Sequence, residues 1–203
     1  METTGQYTGA AASRKKQEEM NMIYILLGNG FEEAEALVPL DLLRRAGAQV
    51  KLVGLDGLEV TGSHGVTVKA DITMDEAHDP EDMEMLVLPG GLGGVEAIQK
   101  NLFALALIQK AYDRGCWLCA ICAAPTVLAR AGCLDRRKAV CYPGMEDEMG
   151  SAVVQKGAQV VTDGRIITGE AAGSAFEFGL RLVEAACGRQ AMERVRNAVH
   201  FHH

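Results

Sequence analysis

Apolar positions fall into short continuous runs separated by segments of helical period, and that alternation sets the expected order of elements. Residues 22–27 form an unbroken apolar run, as a strand covered on both faces requires. Gly28-Asn29-Gly30 turns the chain. Residues 31–46 then have helical spacing, with glutamates in the first turn, where the macrodipole favours them, and Gly47 as a stop. Pro39 inside this helix predicts a kink. Residues 49–55 read as a second strand, and the pieces around Val60 and at 66–68 as a hairpin joined through Gly62-Ser63-His64-Gly65. Residues 71–82 are polar and without period, and Asp79-Pro80 breaks them. A third buried strand, 83–88, ends in Pro89-Gly90-Gly91-Leu92-Gly93-Gly94, and helical spacing returns at 95–100 and 102–114.

The apolar run at 117–121 passes without a linker into a helix. Pro125 suits the first helical turn, where its missing N–H costs nothing, and Gly132 ends the segment. Cys122 therefore sits at the bend. Beyond it the pattern predicts a short strand at 139–142 and a hairpin at 160–168 turning at Asp163-Gly164. An amphipathic helix follows at 174–187, with Ala175, Phe178 and Leu182 on one face, and a last helix at 190–198. Strands alternating with helices over the whole length imply a mostly parallel sheet with helices on both faces.

The chain has 203 residues, 48% hydrophobic and 23% charged, which suits one domain, placed at 22–203. A net charge of −7 argues against a nucleic-acid surface, since phosphate binding needs clustered Lys and Arg. Apolar runs are strand-length, so no membrane span is expected. Six cysteines, three of them crowded into 116–122, do not make a disulfide framework and point to a reducing, cytoplasmic setting. Residues 1–21 lack the apolar core of a secretory signal and read as a disordered extension or a start-site artefact, with Met20 or Met22 as the candidate beginning.

Ligands of such sheets bind beyond the carboxyl ends of the strands. Three of those ends carry chemistry: the acidic helix start at 28–35, the glycine-rich loop at 89–94 and the cysteine at 122. The loop lacks the Lys-Ser/Thr of a phosphate loop. A cysteine on a tight strand-to-helix turn resembles the serine of a nucleophile elbow, and the N–H groups and positive end of the helix behind it favour thiolate over thiol. Cys116 and Cys119 lie within the strand and are expected in the core; three apart on a strand, they face opposite ways and cannot join Cys122 around one metal ion. The histidine-rich tail at 200–203 is expected to fray.

Gly-Phe-Glu-Glu-Ala-Glu-Ala at 30–36, Leu-Leu-Arg-Arg-Ala-Gly at 42–47, Leu-Val-Leu-Pro-Gly-Gly at 86–91, Ala-Ile-Cys-Ala-Ala-Pro at 120–125 and Gly-Ser-Ala-Phe-Glu-Phe at 173–178 occur in one order. Together they resemble the ThiJ/PfpI superfamily, in the branch of DJ-1 and its bacterial homologues. The resemblance implies a flavodoxin-like three-layer αβα sandwich, usually a homodimer, needing no cofactor and no metal. By motif it makes Cys122 the reactive residue and Glu35 the carboxylate hydrogen-bonded to it. Gly91 and Ala123 fall where backbone N–H groups hold an oxyanion. Tyr142 and His64 occupy pocket positions where several relatives carry His and Arg. Ala123 stands where the protease-like branch has His, and no His-x-Glu lies downstream, so a Cys-His dyad is not expected. The activity implied is that of a cofactor-independent glyoxalase or deglycase. Its substrates are methylglyoxal-type 2-oxoaldehydes or their adducts, and its products 2-hydroxy acids. The alternative is a redox-sensing or chaperone-like protein that oxidises the same cysteine without turnover.

Overall fold

The computed structural model describes residues 22–77 and 80–202, and the expected extension at 1–21 lies outside them. Strand β1 (Met22–Leu27) turns at 28–32 into α1 (Glu33–Arg45), and β2 (Gln49–Gly54) follows. Helix α1 begins later than its period suggests, because Phe31 is buried in the preceding turn; Pro39 lies inside it without ending it. The expected hairpin is β3 (Glu59–Thr61) with β4 (Thr67–Lys69).

The segment expected to be irregular holds β5 (Ile72–Thr73) and one helical turn, α2 (Met74–Ala77). Here tertiary pairing overrides a weak local pattern: Ile72 and Thr73 pair with Val53 and Gly54, and Met74 and Ala77 are buried. The middle of the chain is β6 (Met83–Leu88), α3 (Leu92–Lys100), α4 (Leu102–Asp113), β7 (Trp117–Ile121) and α5 (Pro125–Arg130).

The strand expected at 139–142 shrinks to β8 (Lys138–Ala139), which pairs with β9 (Val153–Val154) in a small separate sheet. Val140 leaves that ladder because its N–H donates to Oγ1 of buried Thr168, at 2.9 Å. Strands β10 (Val160–Asp163) and β11 (Ile166–Gly169) form the Asp-Gly hairpin, and α6 (Ala175–Cys187) and α7 (Arg189–Ala198) close the fold. Phe201 stacks on Phe176 with ring centroids 5.6 Å apart, so the described part of the tail is docked rather than frayed.

The central sheet runs β10-β11-β7-β6-β1-β2-β5, parallel at every pairing but β10 with β11. Period-two alternation sorts its side chains into two cores. Leu26, Leu88 and Leu118 face α3, α4 and α5, whereas Ile25, Val87 and Ile121 face α1 and α6. Burying each Leu or Ile contributes roughly 1.5–3 kcal/mol, so a one-residue slip of register would exchange both faces and is strongly opposed. This is the expected flavodoxin-like αβα sandwich. Strand order reverses beside β1, whose neighbours are β2 on one side and β6 on the other. Loops leaving β1 and β6 therefore diverge, and a crevice opens at their carboxyl ends.

Candidate active site

Strand β7 delivers Cys122 to this crevice on a strained turn. Its φ is +65°, a left-handed conformation that costs a non-glycine residue roughly 1–3 kcal/mol. The surroundings hold it there. The Cys122 N–H donates to Gly169 O at 3.0 Å, its carbonyl accepts from the Tyr142 N–H at 2.8 Å, and the Ala124 N–H donates to Ile121 O at 3.1 Å. This is the backbone geometry of a nucleophile elbow, and it leaves Cys122 partly exposed. Cys116 and Cys119 are buried on opposite faces of the sheet, as expected; the Cys116 thiol donates to Met83 O at 3.1 Å.

Glu35, in the first turn of α1, faces the elbow from across the crevice and is fully buried. Its Oε2 accepts the Gly90 N–H at 2.8 Å, its carboxyl hydrogen-bonds the Cys122 thiol, and its Oε1 has no partner among the described residues. Burial raises its pKa more than the bonds from Cys122 and Gly90 lower it, and the charge of Glu32 adds to the rise, leaving it at about 7. A buried carboxyl oxygen without a partner costs more when the group is charged than when it is neutral, in line with the raised pKa.

The sequence argument for a ready thiolate does not hold. Helix α5 has only six residues, and burial, followed by the charge of and the hydrogen bond to Glu35, pushes the Cys122 thiol up to about 12. The N–H groups of Ala123 and Gly91 reach the sulfur but only partly oppose that rise. Two negative charges cannot share so small a dry space, so an ionised sulfur goes with a protonated Glu35.

The glycine-rich loop fits because it has no side chains. A Cβ on Gly90 would collide with Glu35 Oε2 and lie 2.7 Å from Cys122 Cβ. Gly91 has φ +84° and packs so closely on Gly30, Phe31 and Glu32 that a side chain would enter the backbone there. Around the sulfur lies a cavity of about 420 Å³. Gly91 and Ala123 form its inner end, Leu92, Tyr142 and Met145 one wall, and Glu32, Ser63 and His64 the rim.

That rim is a polar clasp between α1 and the β3–β4 turn. Glu33 accepts from the His64 N–H at 2.8 Å, from the Val66 N–H at 3.4 Å and pairs with His64 Nδ1 at 3.0 Å; the Ser63 hydroxyl donates to Glu32 at 3.1 Å. Partial burial works against ionisation of Glu33, but these bonds outweigh it and hold the carboxyl at about 2. Contact with Glu33, and then the charges of Glu32 and Glu33, raise the pKa of His64. Among the described residues only Glu32, Glu33 and His64 bring three metal-type ligand atoms within 4.8 Å of one another. Ser63 and the hairpin backbone already occupy them.

The profile of the DJ-1/PfpI family matches residues 21–185, more than three quarters of the chain. The chain belongs to the DJ-1/PfpI family. It is 35% identical to "Protein dj-1beta" of Drosophila melanogaster over 175 residues, covering 84% of this chain and 92% of that one. "Deglycase PH1704" of Pyrococcus horikoshii is likewise 35% identical over 147 residues, covering 72% and 87%. The crystal structure of a cysteine-to-alanine mutant of DJ-1 superfamily protein STM1931 from Salmonella typhimurium superposes with a TM-score of 0.86 at 30% identity, over 91% of this chain and 100% of that chain.

All six residues expected at the site, Cys122, Glu35, Gly91, Ala123, Tyr142 and His64, come together around one crevice of this DJ-1/PfpI chain. Sequence reasoning did not single out Gly90, Glu32, Ser63, Leu92 or Met145. Gly90 was within reach, since the residue before Gly91 in a Pro-Gly-Gly loop faces whatever the loop covers. The others depend on how the β3–β4 turn and the 142–145 turn fold over the sheet edge, and no local pattern carries that. No helix among the described residues is long and apolar enough to cross a membrane.

Proposed function

We propose that this protein is a cofactor-independent glyoxalase or deglycase that turns 2-oxoaldehydes, free or as adducts, into 2-hydroxy acids. The observation that carries the reading is Glu35: fully buried, one oxygen unpartnered, poised near neutrality and hydrogen-bonded to Cys122. A group with a pKa near the working pH can both give and take a proton, and this reaction needs both.

Glu35 takes the thiol proton as the Cys122 sulfur attacks the aldehyde carbon, and passes that proton to the carbonyl oxygen to give a hemithioacetal. The Gly91 and Ala123 N–H groups, which already reach the sulfur, are placed to stabilise that oxygen while it is charged. Glu35, now ionised, removes the hydrogen from the former aldehyde carbon as a proton, leaving an enediolate, and returns it to the neighbouring carbonyl carbon, while the hemithioacetal O–H proton passes to the oxygen on that neighbouring carbon. A thioester bearing a 2-hydroxyl results. Water cleaves it, releasing the 2-hydroxy acid and the thiol, so that aldehyde plus water is the whole stoichiometry. The relatives named deglycase support the same class of activity.

Lactate formation from methylglyoxal, without glutathione or added metal, tests this. Wild type is expected to turn over, and Cys122→Ala to lose activity to background. Unchanged turnover in Cys122→Ala rules out the mechanism. An inactive wild type whose Cys122 gains two oxygens selectively under mild peroxide moves the reading to a redox sensor, for which the partial exposure of Cys122 beside two N–H donors is the supporting observation.

A further inference from the structure

The peptide group that joins Cys122 to Ala123 makes two contacts at once. Its carbonyl accepts the Tyr142 N–H at 2.8 Å, and its N–H, that of Ala123, reaches the Cys122 sulfur. A peptide group is planar, so whatever fixes the carbonyl also fixes where the N–H points. The peptide on the other side of Cys122 is held by the Cys122 N–H, which donates to Gly169 O at 3.0 Å. A non-glycine residue at φ +65° keeps that conformation only when its surroundings impose it, so both anchors matter.

The two anchors differ in their support. Gly169 ends β11, a strand that lies between β7 and β10, and Thr168 just before it pairs with Ala120 on one side and Val161 on the other. Tyr142 belongs to a looser segment: β8 stops at Ala139, and Tyr142 itself is half exposed. Just ahead of Tyr142, the buried Val140 N–H ties this segment to the central sheet by donating to Thr168 Oγ1 at 2.9 Å. Thr168 is fully buried, so the Val140 N–H is met there from within the protein. Two consecutive residues of one strand therefore serve both anchors, Gly169 through its carbonyl and Thr168 through its side chain.

We infer that Thr168 is a positioning residue for the oxyanion site: its hydroxyl holds the 140–142 segment so that the Tyr142 N–H keeps the Cys122–Ala123 peptide turned with the Ala123 N–H towards the reacting atoms. Thr168 acts through Val140 and Tyr142, not by contact with substrate. Its effect on the oxyanion rests on the oxoaldehyde reading; its hold on the peptide does not.

Thr168→Val keeps the branched shape and removes the hydroxyl, which leaves the buried Val140 N–H without its acceptor. Thr168→Ser restores the hydroxyl, and Thr168→Ala takes the place of Thr168→Val if that variant does not fold. Ile167→Val trims the neighbouring buried side chain of the same strand and measures the effect of mere loosening. With methylglyoxal, Thr168→Val is expected to lose kcat by about ten- to a hundredfold, the scale of a displaced reacting group, with KM little changed. Thr168→Ser should stay near wild type, and Ile167→Val should melt earlier but keep its kcat. Amide hydrogen exchange resolved by NMR should show the Tyr142 N–H exchanging faster in Thr168→Val and as in wild type in Thr168→Ser. Full kcat in Thr168→Val, an equal loss in Thr168→Ser, or a matching loss in Ile167→Val overturns the inference and leaves the enzyme reading standing. If wild type turns over no aldehyde, the enzyme reading fails instead, and the hold on the peptide is read from Tyr142 exchange alone. Faster exchange in Thr168→Val, reversed in Thr168→Ser, sustains that hold, and unchanged exchange ends it.

Discussion

Glu33 and Glu35 stand two residues apart in the same helical turn, yet one is held at about 2 and the other at about 7. Glu33 looks outward to a hairpin whose N–H groups and histidine all donate to it; Glu35 looks inward, where burial outweighs the bonds it accepts. The helix start supplies the same macrodipole to both, so the dipole is not what separates them. What differs is the number of donors aimed at each carboxylate and the amount of water left around it. The outer glutamate is suited to fastening the pocket rim, and the inner one to moving a proton.

Removing each charge in turn gives the widest separation between the two. Glu35→Gln keeps the shape and takes away the exchangeable proton, so turnover should fall by a factor on the order of 100 to 10,000, the usual contribution of a positioned acid or base. Glu33→Gln loosens the clasp without touching the reacting atoms and should cost no more than about fivefold, the scale of an exposed ion pair. Steady-state kinetics on both variants decide it; equal losses would erase the distinction. An effect at the lower end of the Glu35→Gln range, and well above that of Glu33→Gln, is expected from Gly90→Ala, which leaves both carboxyls in place but wedges a methyl between Glu35 and the Cys122 Cβ. A displacement of about 1 Å at reacting groups costs on the order of a hundredfold, so kcat should drop by that factor while the rim and its pairing with His64 survive. An active Gly90→Ala would mean that Glu35 and Cys122 have more freedom than their packing indicates.

Much of this was legible from residues alone. Buried strands 22–27, 83–88 and 117–121 announced themselves as continuous apolar runs, because a strand covered on both faces has no polar side to interrupt it. The Asp163-Gly164 turn and the bend at Cys122 followed from local chemistry. The misses share one cause. Strand β5 forms because β2 offers it an edge, and Val140 leaves its ladder because Thr168 offers it a hydroxyl. Neither partner is near in sequence. Motif resemblance, not spacing, separated Glu35 from Glu32 and Glu33, since three glutamates in one helical turn look alike until their surroundings are known. The thiol was misjudged for a related reason: a strand-to-helix bend suggests a dipole, but a six-residue helix has little to offer against burial and a neighbouring carboxylate.

The same pair of glutamates should also appear in the dependence of stability on pH, as the smallest of these effects and with opposite signs. Glu35 has a folded pKa of about 7, above its ordinary 4.5, so the stability it contributes is complete below pH 4.5 and is lost as pH rises through 7. Gln resembles the protonated acid, and the melting temperature of Glu35→Gln should therefore gain on wild type between pH 4.5 and 7 and level off above. Glu33 has a folded pKa of about 2, below the same ordinary value, so its stabilisation is complete above pH 4.5 and is lost as pH falls through 2. Glu33→Gln should melt below wild type at neutral pH, and that deficit should shrink as the solution is acidified from 4.5 towards 2. Thermal melts of the three proteins across pH 2 to 8 read both windows at once. A Glu35→Gln difference that stays flat from 4.5 to 7 would mean that the buried carboxyl ionises as an exposed one does, and the proton-transfer role would lose its physical basis along with the contrast between the two sites.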